Sequence, residues 1–142
     1  MRFWDSSALV PLVVEQPTSS RAERWMAEDA DAVTWTLTPV EVVSALRRLV
    51  RDGLLAERAA TQAERISDEL LARSHVVTAA EDVKGIARRL LRVHALRAAD
   101  ALQLGAALAW AEGRPAGRFL HTLDARLAIA AEREGFLVPA ED

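Results

Sequence analysis

Four carboxylates stand where one local pattern gives way to another: Asp5, Glu41, Asp100 and Asp124. Asp5 follows the apolar run 1–4 and Asp124 follows the run 119–122, and both runs read as strands. Glu41 comes a few residues after the β-branched segment 32–37, at the start of a helical pattern. Asp100 lies in the first turn of a nearly all-apolar helix, 97–112. Carboxylates gathered from separate elements are hard oxygen ligands, suited to Mg²⁺ or Mn²⁺. The chemistry they support is hydrolysis of a phosphodiester by a metal-activated water, with no protein nucleophile. Repulsion among the acids destabilises such a cluster, and a divalent cation relieves it.

Each acid also has a plainer structural reading. Glu41 stands three residues after Thr38, with Pro39 between, which fits a capping box. Asp124 suits a helix cap. Asp100 suits the positive end of a helix dipole, although Ala98, Ala99, Ala101 and Leu102 leave it an isolated charge on an apolar helix. Asp5 is the hardest to explain this way. It joins an apolar strand to an apolar helix, where an uncompensated buried carboxylate is costly. Ser6 and Ser7 follow as turn or cap residues.

The elements that must position these acids alternate. Strands are expected at 1–4, 32–37, 75–78, 119–122 and 136–138. Helices are expected at 8–14, with Pro11 in its first turn, at 21–28 capped by Ser20, and from Thr38 to the stop at Gly53. Others follow at 56–73, 80–93, 97–112 and 125–134, the first with an apolar stripe of Ala59, Ala63, Ile66 and Leu70. Such alternation predicts an α/β domain with a mostly parallel sheet covered on both faces. Ligands of open α/β sheets bind beyond the carboxyl ends of the strands, where Asp5 and Asp124 fall.

Bulk properties narrow the class. With 142 residues and no linker or repeat, the chain reads as one domain, 1–142. A 51% hydrophobic and 27% charged composition excludes a disordered chain. The absence of cysteine excludes disulfides and thiolate chemistry, and fits a reducing cytoplasm. No apolar run approaches the roughly 18 residues of a membrane span, and Asp5 and Glu15 break up any signal-peptide pattern. A net charge of −3 argues against a simple nucleic-acid-binding module, but less against a nuclease whose acids bind cations. Two arginine clusters, Arg47, Arg48 and Arg51, then Arg88, Arg89, Arg92 and Arg97, could steer a phosphate backbone or form ordinary solvated faces. His75, His94 and His121 lack metal-ligand spacing. The four tryptophans suit a core or an interface better than base stacking.

The motifs themselves resemble a known family. FWDSSALV, LTPVEVVSALRRL, LRAADALQLGAAL and FLHTLDARLAIAAEREG are similar, in this order, to the four motifs of PIN domains, and they span Phe3 to Gly135. The resemblance, to VapC-like toxins in particular, implies a PIN-like three-layer α/β/α fold and a metal-dependent endoribonuclease. It implies an acidic site of Asp5, Glu41, Asp100 and Asp124, with Ser7 and Thr122 in support. It further implies an RNA substrate, a VapB-like antitoxin and a homodimer. Two other readings remain. One is a metal-dependent phosphatase or phosphoacceptor domain, although Ser7 stands where its second acid would be. The other is a PIN-like module that only binds a partner.

Overall fold

The computed structural model describes residues 1–139. Strands β1 (Arg2–Trp4), β2 (Ala32–Trp35), β3 (His75–Val77) and β4 (Leu120–His121) form one sheet in the order β3-β2-β1-β4, every pairing parallel. Among the described residues seven helices accompany it: α1 (Ser6–Val13), α2 (Ser19–Glu28), α3 (Thr38–Arg51), α4 (Glu57–Ala72), α5 (Ala80–Val93), α6 (Ala98–Trp110) and α7 (Ala125–Glu134).

The alternation of side chains along a strand divides the core in two. Phe3, Val33, Trp35 and Leu120 point to one face and pack with Val83, Leu90, Leu104 and Leu127 of α5, α6 and α7. Trp4 and Ala32 point to the other and pack with Leu9, Trp25, Val42 and Leu46 of α1, α2 and α3, together with Leu71 of α4. The sheet is thus the middle layer of an α/β/α sandwich. The chain leaves β1 to one side for β2 and returns on its other side as β4. The carboxyl ends of β1 and β4 therefore border the crevice at the topological switch point.

Several element ends differ from the sequence reading. Helix α1 starts at Ser6, because Asp5 itself is the cap and its carboxylate accepts the Ser7 N–H. Pro11 consequently lies past the first turn, and the helix ends two residues later. Ser20 is no cap: α2 already includes Ser19, whose hydroxyl donates to the Pro11 carbonyl at 2.7 Å. Thr38 is no cap either. Leu37 holds that place, and the Thr38 hydroxyl accepts the N–H of Trp35 at 3.2 Å. The buried stripe of α4 runs through Ala60, Ala63, Ser67 and Leu71, rotated from the expected one, and leaves Ile66 38% exposed. Through Ala63 and Leu71 this face joins the core that α1 and α3 share. The expected strand at 136–138 is reduced to a single bridge between Phe119 and Leu137.

Helices α5 and α6 meet at Gly105, where a Cβ would stand 3.1 Å from the Val83 carbonyl oxygen and 3.4 Å from the Ala87 nitrogen. Both obstacles are backbone and cannot rotate away. Gly105→Val is expected to destabilise the protein by about 2–3 kcal/mol. An unchanged urea midpoint would show that the two helices separate at no cost.

Candidate functional site

At the end of β1 the Asp5 N–H donates to the His121 carbonyl at 3.0 Å, so β1 and β4 run side by side up to the carboxylate. Asp5 is buried, and its Oδ2 accepts from three donors: the Ser7 N–H (3.3 Å), the Ser7 hydroxyl (2.5 Å) and the Thr122 hydroxyl (2.9 Å). Ser7 Oγ in turn accepts the Leu123 N–H at 2.9 Å, and Thr122 Oγ1 accepts the Asp124 N–H at 3.1 Å. The two hydroxyls therefore tie β1 to the loop after β4. Oδ1 of Asp5 remains the freer oxygen, with only a 3.4 Å contact from the Ser6 hydroxyl.

The same Ser6 hydroxyl donates to Glu41 Oε2 at 3.0 Å, and Gln103 Nε2 donates to Glu41 Oε1 at 3.1 Å and to Thr38 Oγ1 at 3.2 Å. The Glu41 carboxylate is thus engaged across the fold, by α1 and α6, and not in a capping box. Asp124 does cap α7, through Oδ1, which accepts the Leu127 N–H at 2.9 Å. Its Oδ2 is left over. Asp100, half-buried in the first turn of α6, completes the set.

Asp5, Glu41, Asp100 and Asp124 all line one open cleft of about 740 Å³, together with Ser6 and Ser7. Thr122 stands behind it, against Asp5. Sequence reasoning gave Ser6 only a turn or cap role and assigned none to Gln103. Gln103 had a signal: it sits three residues after Asp100, a polar side chain on the buried face of an apolar helix. Ser6 had none beyond its place beside Asp5.

The electrostatics of the cleft are strained in one direction. Burial raises the Asp5 carboxyl above its usual range despite the Ser7 and Thr122 hydrogen bonds, and Asp124 adds to the rise. Burial also pushes Glu41 up to about 7, with Asp5 and Asp100 contributing repulsion against the hydrogen bonds from Gln103 and Ser6. Asp100 is raised by burial, then by Asp124 and Asp5. No ion pair among the described residues engages any of the four.

A divalent cation is the group that such a set invites. All the donors are hard oxygens, and Asp5 Oδ1 and Asp124 Oδ2 are each left without a strong partner. Among the described residues no three acidic or histidine side chains close tightly enough to cage an ion. The acids form an open border, and a hard divalent cation that keeps several of its waters can be held by one or two carboxylates at a time.

Two outcomes follow from Glu41 and its partners. A carboxyl raised from 4.5 to about 7 holds a proton in the folded state that the unfolded chain has released. Its contribution to stability is full below about pH 4.5 and is lost as the pH rises through 7. Glu41→Gln is therefore expected to stabilise the metal-free protein at pH 8 by on the order of 1 kcal/mol, after discounting for solvent screening. At pH 4 it should do nothing. Urea midpoints at the two pH values test this, and equal effects at both would remove the electrostatic explanation. Gln103→Leu deletes the donor to Glu41 and also a buried amide oxygen that has no partner. It is expected to leave the melting temperature near that of the parent while lowering the affinity of the cleft for a divalent cation by about 10–100-fold if Glu41 helps to hold one. An unchanged affinity would mean that Ser6 alone suffices to hold Glu41.

The family profile of the PIN domain matches residues 2–133. The chain belongs to the PIN-domain family. The matched part of this PIN domain contains all four acids of the cleft. Ribonuclease VapC45 of Mycobacterium tuberculosis is 36% identical over 141 residues, which cover 98% of this chain and 95% of the relative. The crystal structure of Mycobacterium tuberculosis VapC20, a Sarcin-Ricin loop cleaving toxin, aligns with a TM-score of 0.67 at 23% identity, covering 96% of this PIN domain's chain and 97% of the other. FitAcB from Neisseria gonorrhoeae aligns with a TM-score of 0.66 at 18% identity, covering 97% and 96%. These two structures share its three-layer fold.

Proposed function

We propose that this chain, as a single PIN domain, is a ribonuclease toxin of the VapC type that hydrolyses RNA phosphodiesters with Mg²⁺ or Mn²⁺ held by Asp5, Glu41, Asp100 and Asp124. The observation that carries the reading is the convergence on one cleft of four carboxylates, none of them in an ion pair among the described residues, in a chain 36% identical to a ribonuclease over nearly its whole length. Bound there, the ion would supply the positive charge that neutralises the phosphate and acidifies a water. The chain does the rest. Ser7 and Thr122 fix Asp5 through Oδ2 and keep Oδ1 available. Ser6 and Gln103 fix both oxygens of Glu41. Asp124 presents Oδ2 because Oδ1 is spent on the helix cap. Ser7 stands where the phosphoacceptor alternative would need its second acid, so nothing favours that alternative.

The partners proposed with this activity are a VapB-like antitoxin and a second copy of the chain. Val40 and Leu54, 66% and 73% exposed, and Ile66 supply apolar surface on the α3–α4 side of the fold for such contacts. No helix among the described residues is long and apolar enough to cross a membrane, and an RNA substrate would place the protein in the cytoplasm. The test is incubation of antitoxin-free protein with host RNA, with Mg²⁺ or Mn²⁺ and then with a chelator. Discrete fragments that depend on metal are expected. A folded protein that cleaves nothing under any condition would leave only the binding-module reading.

A further inference from the structure

The two arginine clusters of the sequence separate in three dimensions. Arg47 is bound to Glu57 by both guanidinium nitrogens (2.6 and 2.9 Å), and Arg89 is bound to Glu134 at 2.5 Å. One arginine from each cluster, Arg48 and Arg97, instead lines the cleft of the four acids, joined by Arg126 from the first turn of α7. These three come from α3, from the cap of α6 and from α7, and all three are exposed. Among the described residues none of them is in an ion pair. No aromatic ring lines the cleft, so a base would find no stacking platform there. Guanidinium forks are, however, well matched to phosphate oxygens.

Resting on the ribonuclease reading above, we infer that Arg48, Arg97 and Arg126 form a phosphate clamp for single-stranded RNA. They hold the backbone on either side of the acids, and they bind without reading bases. The clamp solves a problem set by the acids themselves: a polyanion must approach four carboxylates, and cations from three elements lining the same cleft offset that repulsion before any metal is engaged.

The test uses the full chain carrying Asp100→Asn, so that RNA survives, and a fluorescein-labelled single-stranded RNA of about twelve nucleotides. Its dissociation constant is measured by anisotropy across a salt series. Each phosphate contact on a single strand contributes about 0.7 to the slope of log affinity against log salt, so R48Q/R97Q/R126Q should lower the slope by about 2 and weaken binding at least about tenfold near 0.1 M salt. R47Q/R89Q, which removes the two committed arginines, should change neither. An unchanged slope in the triple variant, or a parent that binds no RNA, overturns the clamp. So does loss of binding to a poly-glutamate peptide with RNA binding intact, which would assign the three arginines to an acidic protein partner. Cleavage by the unmodified chain is scored separately, so an intact nuclease without the clamp and a clamp without nuclease activity are distinct results.

Discussion

Asparagine in place of Asp100 is expected to reduce metal-dependent RNA cleavage by about 10³-fold or more and to make the metal-free protein more stable. The first part follows from position. Asp100 lies in the first turn of α6 and faces the same cleft as Asp5 and Asp124, and losing a group that merely orients a metal ligand already costs about 10–100-fold. The second part follows from charge. The Asp100 carboxyl is raised above its usual range by burial and by repulsion from Asp124 and Asp5, so at neutral pH its ionised form opposes folding. An amide of the same shape carries no such penalty. The pairing of effects is diagnostic: a residue that only supported the helix would lose stability along with activity. A rate within tenfold of the parent, or a lower urea midpoint without metal, would take Asp100 out of the site.

Protonation of His121 should destabilise the protein in acid. Its imidazole is fully buried between Trp4 and Trp25, with both ring centroids 4.6 Å away. Nε2 lies 3.4 Å from an Arg2 guanidinium nitrogen, so it must accept, and Nδ1 is buried without a partner. Burial and the Arg2 charge lower the pKa from 6.5 to about 4. The unfolded chain therefore binds this proton first. The stability that the neutral ring contributes is present above about pH 6.5 and is lost as the pH falls through 4. The loss reaches about 3 kcal/mol, taking 1.36 kcal/mol for each pKa unit. Asp29 and Glu134, whose carboxyls are lowered by the N-terminal amine and by Arg89, add acid sensitivity of the same sign. Their share remains in His121→Phe, so the comparison isolates the ring. Between pH 7 and pH 4 the variant should lose about 2–3 kcal/mol less than the parent. Identical pH profiles would show that His121 protonates without cost.

The placement of the four acids is legible in the sequence because each marks a local transition: a strand end for Asp5 and Asp124, a helix start for Glu41 and Asp100. The all-parallel sheet was legible from the same alternation, as were both ends of α5 and α7. What escaped depends on contacts distant in sequence. Nothing near Thr38 indicates that its hydroxyl will serve Trp35 and Gln103 rather than cap α3. Nothing near Glu41 distinguishes a capping box from a bond to a glutamine 62 residues away. The rotation of the α4 stripe reflects the core that it shares with α1 and α3, a tertiary constraint that periodicity cannot express. The strand expected near Leu137 shrinks to a bridge because only Phe119 is there to receive it.

The pairing of β1 with β4 also has a consequence for the chain as it leaves the ribosome. Asp5 emerges well before its partner Thr122, from which 117 positions separate it, and Asp124 follows later still. Synthesis proceeds from the N-terminus at about 5–20 residues per second, so while that stretch is being made β1 lacks one neighbour and the cleft lacks one wall. A nascent chain interrupted between α6 and β4 would carry three of the four acids and no assembled cleft.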